Sequence, residues 1–126
     1  MLYRGAVELI SFDAGTGRPI AAHGSVGFTA QALVRADNVA VTVLHVAAGG
    51  EIGRHPATSD QLLLITAGRG AVQGGDGVWH DIIAGQAVLW TAGEQHTTRA
   101  DEAITAVGIE IPVLPVRRPE RPQADR

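Results

Sequence analysis

Apolar and polar residues alternate at period two along most of this chain, and glycine-rich turns cut the alternation into short runs. A strand sends successive side chains to opposite faces, so this pattern builds half-buried sheet. The 3.6-residue spacing of an amphipathic helix is hard to find. The runs predict strands over residues 6–11, 28–34, 39–46, 62–66, 70–73, 78–83, 87–90 and 103–111. Between them stand Asp13-Ala-Gly-Thr-Gly17, Ala48-Gly49-Gly50, Gly74-Gly75-Asp76-Gly77 and Ala84-Gly85, turn compositions in which glycine supplies positive φ. The third of these reads as a hairpin. Eight or so short strands at even spacing make an all-β sandwich, jelly roll or barrel.

The length of 126 residues holds one core and one domain, and the 45% apolar content makes it globular. Cysteine is absent, which excludes disulfides, thiolate metal sites and a cysteine nucleophile. Lysine is absent too, so no Schiff base forms on the protein's own amine. The formal charge is −3, unevenly spread: residues 117–126 carry four arginines against Glu120 and Asp125, and the other 116 residues balance at −5. An acidic body with five aromatic residues lacks the basic stripe and stacking platform of a nucleic-acid surface. No apolar stretch approaches a membrane span, and Met1-Leu-Tyr-Arg-Gly-Ala-Val-Glu8 holds no signal-peptide core. The expectation is a cytoplasmic protein that touches neither nucleic acid nor membrane.

Two spaced motifs carry the functional signal. The first is Gly49-x5-His55-x-Ala57-x3-Gln61-x6-Gly68, and the second is Gly85-x5-Thr91-x-Gly93-x2-His96. Their spacing resembles the paired motifs of the cupin superfamily, and the whole chain looks like the small single-domain bacterial cupins. The resemblance implies a double-stranded β-helix (jelly-roll) barrel and selects it among the all-β alternatives. Three segments follow: 1–38 as N-terminal strands of the barrel, 39–111 as the core with both motifs, and 112–126 as a tail rich in proline and arginine. Proline removes ladder donors there, so the tail is expected to be extended.

In cupins two histidines and a glutamate of the first motif and one histidine of the second hold a metal. At those positions this chain has His55, Ala57, Gln61 and His96. The resemblance therefore implies a divalent transition metal (Fe, Zn, Ni or Cu) on His55, Gln61 and His96, with water completing the set. Losing a carboxylate and an imidazole weakens such a site. The alternative is a metal-free pocket in which Gln61 orients the rings and His55 or His96 serves as catalytic base or acid. The resemblance places His55 and Gln61 on adjacent strands and His96 across the barrel. Strand alternation adds His45, Leu63, Ile65, Trp90 and Thr98 as pocket residues. The bland readings stand beside these: His55 as a loop end before Pro56, Trp90 as core, Glu94 as a turn residue, Arg54 and Arg99 as solvated. His80, between Trp79 and Asp81, is expected near a strand surface, and His23 in a glycine-rich loop gives no signal.

Two functions follow, both with a small-molecule ligand in the barrel. One is an enzyme of dioxygenase-, isomerase-, epimerase- or dehydratase-like type. The other is a binding or sensing module without turnover. The resemblance also implies a homodimer.

Overall fold

The computed structural model describes residues 7–117, and seven strands account for most of them. They are β1 (Arg18–Pro19), β2 (Val26–Ala36), β3 (Val39–Pro56), β4 (Asp60–Gln73), β5 (Trp79–Ile83), β6 (Ala87–Trp90) and β7 (Gln95–Ile111), with a 3-10 turn at Ala22–Gly24. Every pairing is antiparallel, and the sheet order is β1-β2-β3-β7-β4-β5, with β6 on β4. The all-β expectation holds.

Three strands are far longer than the runs that predicted them, and their length makes the barrel. The β3–β7 ribbon keeps one register from Ala40↔Glu110 to Val46↔Ile104, opens over the next four residues, and resumes in that same register at Glu51↔Arg99. Gly49, at φ 80°, lies in the opening. A ribbon that keeps its register through a corner folds over without slipping. The Ala48-Gly49-Gly50 signal is thus a corner inside β3, not a strand end. Likewise the predicted strands 62–66 and 70–73 are one strand, β4, bent where its pairing with β7 shifts between Ile65 and Gly70. Gly68 there has φ 84°, and Gly70 lies where a Cβ would strike the Arg99 carbonyl. The strand expected over 103–111 begins at Gln95.

The hairpin expectation is met. Gln73 faces Trp79, the Gly77 amide donates to the Gly74 carbonyl at 3.2 Å, and the Val78 amide donates to Asp76 Oδ1 at 2.9 Å. The strand expected over 6–11 is corrected: residue 6 lies outside the described residues, and 7–11 form no strand. Only Ser11 and Phe12 are anchored there, by their carbonyls to Gln31 Nε2 and His45 Nε2. The N-terminal strands of the barrel are therefore β1 and β2. Of the tail, 112–117 form no strand, and the Leu114 amide donates to Asp60 Oδ2. Residues 118–126 lie outside the described residues.

The folded ribbons bury a core of Val46, Leu63, Ile65, Val72, Ile82, Trp90, Ala100, Ile104 and Ala106. Each large member contributes about 1.5–3 kcal/mol through removal from water. Among the described residues no helix is long and apolar enough to cross a membrane.

Candidate functional site

His55 on β3 and His96 on β7 are direct partners in the antiparallel register, with ring centroids 4.3 Å apart and planes tilted by 56°. This reverses the expected layout. The two imidazoles are neighbours, while Gln61 comes from the half of β4 that pairs with β6 and the far half of β7. The ring of His96 stacks on Trp90, at 4.3 Å and 25°. Trp90 in turn faces Gln61, and Gln61 faces Glu110. A row Glu110–Gln61–Trp90 thus joins the His55–His96 pair through the Trp90–His96 stack.

Backbone carbonyls fix both rings. His55 Nδ1 lies 2.7 Å from the Gly53 oxygen, and His96 Nδ1 lies 3.2 Å from the Glu94 oxygen. A carbonyl only accepts, so each Nδ1 carries the hydrogen and donates. In the neutral rings each Nε2 then keeps its lone pair, and no hydrogen bond from the described residues reaches it. Burial pushes the pKa of His96 below its ordinary value. The Glu94 carbonyl opposes the shift and the neighbouring His55 adds to it.

These groups line a cavity of about 260 Å³. Gln61, Leu63, Trp90 and Thr98 line it too, with Thr98 held between Ile52 and Val72 in the sheet. Two of the expected pocket residues lie elsewhere. His45 sits on the outer face of β3, where its Nε2 donates to the Phe12 carbonyl at 2.8 Å and its Nδ1 accepts from the Thr105 hydroxyl at 3.2 Å. The alternation was read correctly, but Leu44 and Thr42, not His45, hold the inward phase. Ile65 belongs to the apolar core, one row below the cavity wall.

Three cavity residues carried no signal in the motifs. Glu110 ends the inward row Ile104, Ala106, Gly108, Glu110 of β7, so alternation from the buried Ile104 could have found it. Phe28 approaches from β2. His23 comes from the 3-10 turn and stacks on His55 at 4.9 Å and 13°. Its φ of 59° is rare for a side chain with a Cβ. Two contacts hold the turn there. Ser25 Oγ accepts from the buried Gly53 amide at 2.9 Å, and Gly53 leaves room for the His23 carbonyl, which any Cβ at 53 would strike. A positive-φ histidine in a glycine-rich loop leaves no trace in sequence.

The flanking residues take the bland readings. Glu94 Oε1 accepts from the Thr91 amide. Arg54 reaches Gln73 and Gly74, and Arg99 lies over the Trp79 ring at 4.3 Å.

The donor set does not fit a cupin metal of three imidazoles and one carboxylate. His55 and His96 have the right tautomers, since metal-bound imidazoles usually donate their second nitrogen to a carbonyl or carboxylate. The remaining positions fail. Ala57 is buried in the core, its amide and carbonyl tied to Glu94 and Gly93. Gln61 offers a neutral amide where charge is needed. His23 cannot take the third place, because imidazole lone pairs lie in the ring plane and nearly parallel stacked rings do not aim at one point. Among the described residues no three His, Cys, Asp or Glu side chains gather as a metal site.

Strands folded into two facing halves around an internal cavity define a double-stranded β-helix barrel with a buried site. A family model for the cupin domain matches residues 42–111, more than half of the chain, and the chain belongs to the cupin family. It is similar to a cupin-like protein from Thermotoga maritima, at 20% identity and a TM-score of 0.70, covering 81% of this chain and 80% of that one. It also resembles a predicted oxalate decarboxylase from Thermotoga maritima, at 16% identity and a TM-score of 0.69, covering 82% and 100%. A Bacillus halodurans protein is 28% identical, with a TM-score of 0.61 and coverage of 68% and 70%. No curated protein matches the sequence.

Proposed function

We propose that this cupin binds a small organic molecule in the barrel cavity, with Nε2 of His55 and of His96 as the pair of groups that meets it. One observation carries the reading: two register-paired histidines have Nδ1 tied to carbonyls and Nε2 unclaimed at the wall of a cavity. Such a pair is equipped for proton transfer, one ring accepting while the other donates. Gln61 is not usefully basic and serves as an orienting amide. The Thermotoga relative described as a predicted oxalate decarboxylase makes turnover the first activity to test, without fixing the substrate.

Single His55→Ala and His96→Ala variants test the reading. Each is expected to lower affinity for a ligand found by screening at least about tenfold, the loss of one hydrogen bond in a desolvated site. A catalyst loses turnover further than it loses affinity; a carrier or sensor shows the affinity loss alone. Full affinity in both variants would sink the proposal. Elemental analysis of the purified protein addresses the cofactor: iron, zinc, nickel and copper are expected well below one per chain. Near-stoichiometric metal that disappears in the double alanine variant would overturn the metal-free reading. Exposed Val7, Leu9, Ile10 and Phe12 support a homodimer.

A further inference from the structure

Every lining residue that brings a formal charge to the cavity apart from the imidazoles is one acid, Glu110. No arginine is among the lining residues, and the chain has no lysine at all. The three arginines nearest the motifs are engaged elsewhere, Arg54 on Gln73 and Gly74, Arg69 on Glu102 and Arg99 on Trp79. The acceptors here are the Glu110 carboxyl, the Gln61 amide oxygen and the two Nε2 lone pairs, and the donors beside them, the Gln61 amide N–H, the Trp90 indole N–H and the threonine hydroxyls, are all neutral. Most of the remaining wall is apolar, with Ser25, Thr42 and Thr98 adding hydroxyls and His23 an imidazole. Phe28, Leu44, Ile52 and Leu63 line it, and at Gly108 an added Cβ would rest in ordinary contact with Leu44 and Leu63.

We propose that the ligand is an amphipathic molecule with a hydrogen-bond-donating head that bears no negative charge, a hydroxyl or an amine, and a small apolar body. This rests on the reading of the cavity as a ligand site and names the class that the site takes. A donating head replaces the water that these acceptors lose when a ligand fills the cavity. An acid would set its charge beside Glu110 with no arginine or lysine to offset it, in a wall of low polarity where like charges repel strongly. The cavity, about 260 Å³, lies just under the size range of pockets that take drug-sized ligands and suits a smaller molecule.

Toluene, benzyl alcohol, benzylamine and benzoate differ little in size and differ in the head, so titration calorimetry with these four probes decides. Benzyl alcohol and benzylamine are expected to bind about tenfold or more tighter than benzoate. In the near-isosteric Glu110→Gln variant, benzylamine is expected to lose that advantage. Gly108→Val narrows the cavity between Leu44 and Leu63, where the Cβ itself makes ordinary contacts of 3.6–4.0 Å, and is expected to weaken all four probes, with an unchanged circular dichroism spectrum as the check that the barrel is folded. Benzoate binding as tightly as benzylamine, with Gly108→Val abolishing both, would overturn the head-group assignment and leave the cavity reading standing. Failure of every probe, toluene included, would overturn both.

Discussion

His96 shows how much one side chain's surroundings decide. Its ring lies between Trp90 and His55 and is almost wholly buried, so the charged form is disfavoured and its pKa falls below the ordinary value. As pH drops through about 6.5 the unfolded chain takes up a proton that folded His96 does not, so the unfolded state binds more protons and stability falls. The loss grows until pH passes the depressed folded value, then stops. Thermal unfolding between about pH 8 and about pH 5 is therefore expected to show a falling midpoint, with a shallower slope in His96→Gln. An unchanged slope would mean that His96 contributes nothing to it. The sequence made His55 and His96 legible because motif spacing fixes which strand positions meet. It left Glu110 and His23 unread for different reasons. Glu110 lies beyond either motif, at the end of an inward row, and His23 depends on a turn held by Ser25 and Gly53 from another part of the chain.

Glycine means different things along these strands, and local composition does not separate them. Gly74–Gly77 closes a hairpin, whereas Gly49 and Gly68 sit inside β3 and β4, where the long ribbons bend. A turn signal within a run marks an end in the sequence, which halves β4 and shortens β3, whereas β7 is shortened because Gln95–Glu102 is too polar to show an apolar alternation. The difference is tertiary: a partner strand bending at the same point keeps the pairing alive through the corner. The two bends should also differ in tolerance. Gly49 has open space around it, so Gly49→Ala meets only the backbone penalty of about 1–2 kcal/mol for a left-handed conformation. Gly68→Ala has the same penalty and a collision with the Ala103 carbonyl, which adds about 1–3 kcal/mol of overpacking. Urea unfolding should rank wild type above Gly49→Ala and Gly49→Ala above Gly68→Ala. Equal midpoints for the two variants would remove the contact argument.

For the molecule as a whole, the fold was legible far beyond its parts, because the paired glycine-and-histidine frame specifies a cupin barrel even where ligand positions have changed. What the outer surface does is a separate matter. Val7, Leu9, Ile10 and Phe12 stand exposed beside the β2–β3 face, a cost in water that a second copy would relieve. Light scattering is expected to give twice the 13.1 kDa chain mass, and Leu9→Asp with Ile10→Asp to shift it toward the single chain. A wild-type mass of one chain would end the homodimer proposal. The two indoles of the chain divide the same molecule into an inside and an outside. Trp79 lies on the outer surface beneath Arg99, and Trp90 stands against His96 at the wall of the cavity. With Trp79→Phe the remaining emission comes from the cavity wall alone. Its colour and yield then report, without any attached dye, whether the barrel is wet, filled, or holding a charged imidazole.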